Sequence, residues 1–79
     1  MFHVYVLRSS KNGRRYIGSC QNIADRVRQH NNGVSKATRP GIPWSFIHTE
    51  TFSTRAEAVR KEQYFKTGRG RDELNRLYW

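Results

Sequence analysis

The chain has 79 residues, enough for one small domain and too few for two. Fifteen Lys and Arg against six Asp and Glu give a formal net charge of +9, a field that favours polyanions: nucleic acid first, an acidic membrane or protein surface second. No apolar run approaches a membrane span, and Arg8 and Lys11 interrupt the only apolar stretch near the start, Val4–Leu7, against a signal peptide; the single Cys20 has no disulfide partner, so a reduced, cytoplasmic protein is expected.

Phe2–Arg8 (FHVYVLR) is rich in β-branched and aromatic residues and reads as a strand. Asn12-Gly13 is a hairpin-turn signal, and Arg14–Cys20 returns as a second strand. Asn22 is suited to cap a helix running to about Asn31, with Asn32-Gly33 ending it. Ile23, Val27 and His30 fall on one stripe of that helix. The segment Val34–Pro43, with Gly41 and two prolines, reads as a loop, and Trp44–Phe52 as a third strand. Thr54 and Glu57 form a capping box for a second helix through about Lys66, which Gly68 and Gly70 are expected to break; Asp72–Tyr78 suits a short last helix. The order β-β-α-β-α, with a further C-terminal α, implies a two-layer α+β domain over residues 1–79, its helices covering one face of a small sheet. The basic residues are spread along the chain rather than gathered in a tail, which implies a charged face on a folded body.

Some residues stand where packing alone does not put them. In the second helix Ala58, Val59 and Phe65 define the expected inward stripe, and Glu62 projects between Ala58 and Val59. A carboxylate there must be paired with a base, turn to water or hold a cation. Arg26 and His30, four apart, are surface neighbours at the edge of the first helix's apolar stripe, where both heads can enter one groove. Tyr5 and Tyr16 stand on the first two strands, as ordinary cross-strand packers or as pocket residues. Gly18 inside a strand implies a bulge or a close approach.

Taken together these residues resemble the GIY-YIG nuclease family, in particular its small bacterial-type, excinuclease C N-terminal-like members. Val4-Tyr5 stands in the place of the first motif, and Tyr16-Ile17-Gly18 matches the second literally. The helix carrying Asp25-Arg26-Val27-Arg28-Gln29-His30-Asn31 resembles the family's arginine helix; Thr38-Arg39, Pro43-Trp44 and Ala58…Glu62…Lys66 complete the pattern over roughly residues 2 to 68. His3 replaces the first motif's glycine, and Ser19 stands where some members carry lysine. Asn75 is the nearest match to a family asparagine towards the C-terminus.

The resemblance implies a three-stranded antiparallel sheet flanked by helices, and a divalent-metal-dependent endonuclease that hydrolyses DNA, directed by DNA structure or by a protein partner in repair or recombination. Glu62 would hold one Mg²⁺ or Mn²⁺, since one carboxylate with water and phosphate completes such a shell. Arg26 would grip phosphate oxygens and stabilise the pentavalent transition state. Tyr16 is favoured by the resemblance as general base with His30 assisting, although His30 titrates nearer neutrality; Tyr5 would orient water or phosphate. Arg8, Lys11, Arg14, Arg15, Lys36, Arg39, Lys66, Arg69 and Arg71 are candidates for tracking the nucleic-acid backbone. The choice between DNA and RNA stays open. A non-catalytic basic nucleic-acid-binding module of the same fold is the alternative, and a purely structural basic protein a weaker one.

Overall fold

A computed structural model describes residues 1–78. The first strand organises it. β1 (Phe2–Ser9) buries four consecutive residues, Val4–Leu7. Successive side chains of a strand point to opposite faces, so this burial requires cover on both sides. Two apolar clusters supply it: Val4 and Val6 pack with Ala58, Phe65 and Leu74, whereas Tyr5 and Leu7 pack with Trp44, Tyr16, Val27 and Ile42.

β1 is the central strand, antiparallel to both β2 (Arg15–Cys20) and β3 (Trp44–Phe52), in the order β2-β1-β3. The β1–β2 register sets Tyr5 opposite Gly18 and Leu7 opposite Tyr16. Their hairpin is longer than a two-residue turn. In its turn Gly13 takes a positive φ of 75°, and its N–H returns to the Ser9 carbonyl at 3.0 Å.

Helix α1 (Ile23–Asn31) starts where Asn22 Oδ1 accepts the Asp25 N–H at 3.0 Å, and Ile23, Val27 and His30 form its inward stripe. Asn31 ties the helix end to β3: its Oδ1 accepts the Trp44 N–H at 2.6 Å and its Nδ2 donates to the Trp44 carbonyl at 3.1 Å. The intervening loop contains a 3₁₀ turn at Arg39–Gly41.

Helix α2 (Arg55–Phe65) is capped by Thr54, whose Oγ1 accepts the Glu57 N–H and donates to Glu57 Oε1 at 2.9 Å. Helix α3 (Gly68–Tyr78) follows almost at once. The α+β class and the element order, with a third helix, are those the residues imply.

Three details differ. The layering is fuller than a sheet covered on one face, because α1 contributes to one apolar cluster and α2 and α3 to the other. Gly68 and Gly70 do not break the chain between helices but open α3. A Cβ on Gly70 would strike the Tyr64 carbonyl and lie 2.6 Å from Phe65 Cα, so the missing side chain permits the close crossing of α2 and α3. Val59 points outward. Ala58 and Phe65, about two turns apart and both buried, set the inward line, and Val59 lies about 100° round from Ala58.

Candidate active site

The Tyr5 side of the sheet holds a polar chain inside an aromatic cluster. Tyr5 is 2% exposed, and its hydroxyl lies 3.2 Å from His30 Nε2. His30 Nδ1 is 2.9 Å from Thr38 Oγ1, which donates its own hydrogen to the Ser35 carbonyl at 3.4 Å. We assign the proton to Nδ1, donating to Thr38, with Nε2 accepting from Tyr5, the tautomer that leaves Thr38 free to donate to the Ser35 carbonyl. Burial, reinforced by the positive charge of Arg26, lowers the His30 pKa and favours this neutral imidazole. Burial pushes the Tyr5 hydroxyl well above the ordinary tyrosine value, with Tyr16 and Cys20 adding to the rise, so it remains a donor.

Tyr16, half-buried, covers this chain. Its ring centroid is 4.7 Å from that of His30, 6.2 Å from Tyr5 and 6.4 Å, edge-on, from Trp44. Gly18 makes the arrangement possible: a Cβ there would lie 2.6 Å from Tyr5 Oη and 3.2 Å from Tyr16 Cε2. The close approach implied by a glycine inside a strand is that of the Tyr5 ring.

Arg26 and Glu62 come from different helices, yet both act on the Tyr5 hydroxyl, Arg26 lowering its pKa and Glu62 raising it. Arg26 is exposed and also acts on His30 and on Cys20, whose thiol is raised mainly by burial. His30 itself is buried, 5% exposed, and not at a groove rim beside Arg26, because its ring is drawn between Tyr5, Tyr16 and Thr38. The Glu62 side chain is 18% exposed, and Oε2 meets Lys66 Nζ at 2.9 Å. The acid is therefore ion-paired in the free protein, while the aromatic rings remain gathered.

Among the described residues no three His, Cys, Asp or Glu side chains assemble a metal-binding group. A lone, partly buried carboxylate fits one hard divalent cation completed by water and phosphate oxygens, and does not fit a two-metal arrangement.

Of the candidate backbone-tracking residues, Arg14, Arg15, Lys66 and Arg71 line a single cleft of about 620 Å³ with Tyr16 and Ile17. Burial, with the neighbouring charges of Arg71 and Arg8, lowers the Arg15 pKa. Lys11, Lys36 and Arg69 are exposed elsewhere on the hairpin, the loop and α3. Arg39 is used locally, donating from Nε and Nη2 to the Gly33 carbonyl at 3.1 and 2.8 Å. Asn75 stands exposed on α3.

Two participants carry no role in the sequence reading. Thr38 fixes the His30 tautomer; the sequence marks it only as part of the Thr38-Arg39 pair of the family pattern, with no role attached, since it meets His30 only through the fold of the loop. Cys20 borders Arg26 in a small cavity with Ser19, Gln21 and Arg55; its place at the end of β2, just before the Asn22 cap, is the available signal.

Comparison with known proteins bears on the family to which the chain belongs. The family model described as the GIY-YIG catalytic domain matches residues 1–75. A UPF0213 protein of Halobacterium salinarum is 40% identical over 67 residues, covering 84% of this chain and 86% of that protein. One from Bacillus licheniformis is 38% identical over 65 residues, 81% of this chain and 67% of that one. The solution NMR structure of a UPF0213 protein from Bacillus halodurans superposes with a TM-score of 0.58 at 29% identity, over 99% of this chain and 86% of that one. With the tyrosines of β1 and β2, the arginine of α1 and the glutamate of α2 on one fold that the family model spans almost end to end, the chain belongs to the GIY-YIG family.

Proposed function

We propose that this domain is by itself a divalent-metal-dependent endonuclease that hydrolyses phosphodiester bonds of DNA. The observation that carries the reading is geometric: Tyr16, packed against Tyr5 and His30, lines the same cleft as Arg14, Arg15, Lys66 and Arg71, and Lys66 pairs with Glu62 at 2.9 Å. A single Mg²⁺ or Mn²⁺ held by Glu62 would neutralise phosphate charge and assist the leaving oxygen.

The protein's own groups divide the remaining work. Arg26, exposed on α1, offers a planar fork to the phosphoryl oxygens as charge accumulates on them. Both His30 nitrogens are engaged, which supports Tyr16 as the group that receives the proton of the attacking water. Tyr5, kept protonated by burial, orients the site and donates to His30. The cleft arginines and lysine hold the strand by its phosphates without reading bases, so choice of site falls to DNA shape or to a protein partner, in repair or recombination within the cytoplasm.

The test is nicking of supercoiled plasmid and of flap and branched DNA in Mg²⁺ or Mn²⁺. Cleavage that chelator abolishes, and that Glu62→Ala and Arg26→Ala lose while still binding DNA, is the expected result. Nicking by either variant at the wild-type rate would refute the reading. Salt-sensitive binding with no metal-dependent product would leave a binding module of the same fold.

A further inference from the structure

Arg55 has no part in the site as described, yet it shares a cavity with Arg26. The cavity holds about 110 Å³, and its lining includes Phe2, Ser19, Cys20, Gln21, Arg26 and Arg55. The Arg55 guanidinium lies over the Phe2 ring, 5.4 Å from its centroid, a cation–π contact that makes no use of its hydrogen-bond donors. Two arginines with a serine and a glutamine round a small polar recess form a donor-rich setting for a tetrahedral dianion or a phosphodiester.

Its position on α2 gives the recess a meaning. Arg55 and Glu62 are seven residues apart, so they share a helix face, about 10.5 Å apart along the axis. Lys66, one turn beyond Glu62 and paired to it, lines the large basic cleft. One face of α2 thus carries, in order, Arg55, Ala58, Glu62 and Lys66, with cations beyond the acid on both sides. A strand crossing the Glu62 region from the large cleft meets the Arg26–Arg55 recess as it leaves.

We infer that the Arg26–Arg55 cavity is a phosphate subsite for the nucleic-acid strand, flanking the reacting phosphodiester on the side opposite the Arg14–Arg15–Lys66–Arg71 cleft. The inference rests on the proposed nuclease reading for its reacting centre, but its own content is a binding contact and is measurable without cleavage.

The experiment is a fluorescence-anisotropy titration of labelled duplex DNA in chelator, repeated across a range of salt. It compares wild type with Arg55→Gln, Arg55→Lys and Arg60→Gln, the last removing an exposed charge from the same helix outside the cavity. Arg55→Gln is expected to weaken binding several-fold and to reduce the salt slope by about 0.9, the loss of one phosphate contact. Arg55→Lys should recover much of the slope, and Arg60→Gln should leave it near wild type. Equal slopes for Arg55→Gln and Arg60→Gln, or no binding by wild type, would overturn the subsite. Retained cleavage by Glu62→Ala would instead overturn the nuclease reading and leave the subsite standing.

Discussion

Replacing Tyr5 by phenylalanine removes one oxygen from the interior and tests the polar chain beneath the candidate site. The hydroxyl donates over 3.2 Å to His30 Nε2, and Tyr5, His30 and Thr38 are 2%, 5% and 2% exposed. The substitution loses a net hydrogen bond of about 1 kcal/mol and leaves a buried ring nitrogen without its donor, a further cost of about 1–3 kcal/mol. Burying Phe rather than Tyr offsets part of this, so a net loss on the order of 2 kcal/mol is expected at neutral pH. For a domain of this size about 1 kcal/mol moves Tm by roughly 4–8 °C, so the shift is measurable by thermal and urea denaturation followed by circular dichroism. Thr38→Val, which removes the acceptor at Nδ1, should couple to Tyr5→Phe with a non-additive term of roughly 0.5–3 kcal/mol. A cost within about 0.5 kcal/mol, the range of an ordinary surface change, would refute the buried hydrogen-bonded chain.

Wild-type stability should itself fall on the acid side. The folded-state pKa of His30 is lowered, so the unfolded chain binds the proton first; the stabilisation is complete above about pH 6.5 and is lost as pH falls towards the lowered value, and His30→Gln should flatten that limb in denaturation measured against pH. Gly18→Ala should cost about 1–3 kcal/mol, because the new Cβ, 2.6 Å from Tyr5 Oη and 2.8 Å from Cζ, meets a ring held by His30; wild-type stability with unchanged tyrosine fluorescence would contradict the packing. Gly70→Ala, despite the better helix propensity of alanine, should destabilise by forcing α3 away from the Tyr64 carbonyl, and a gain in urea midpoint would disprove the close crossing. Lys66→Gln should strengthen Mn²⁺ binding, read by electron paramagnetic resonance, because it releases the carboxylate that Lys66 pairs at 2.9 Å, whereas Glu62→Gln should abolish it; equal affinity in both variants would remove Glu62 as the ligand.

What the sequence makes legible here is what short-range rules govern. Thr54 and Asn22 mark their helices because capping is local, and β3 is recovered from Trp44 to Phe52 because its aromatic and β-branched residues have no competing helical pattern. Gly70 misleads because propensity disfavours glycine within a helix, whereas its use depends on where Tyr64 and Phe65 lie in space. Val59 misleads for a related reason: on so small a helix several projections look apolar, and only the packing of Ala58 and Phe65 chooses among them. In the candidate site, Tyr5, Tyr16, Arg26 and Glu62 are singled out by the resemblance to the family's motifs. The burial of His30 and the role of Thr38 cannot, since the pair spans eight residues through an irregular loop.

Within the proposed nuclease, the choice between His30 and Tyr16 as proton acceptor turns on availability rather than intrinsic basicity. By ordinary pKa the imidazole is the better base near neutrality. Here, however, one ring nitrogen accepts from Tyr5 and the other donates to Thr38, while burial and Arg26 oppose the charge that accepting a proton would create. Using His30 would break the contact that keeps Tyr5 in place and charge a ring only 5% exposed. Tyr16 lies over that ring, half-buried, and also borders the basic cleft through which a phosphate would arrive. The arrangement therefore favours His30 as the residue that positions the two tyrosines, and it ties the stability of the domain to the integrity of the site through a single buried imidazole.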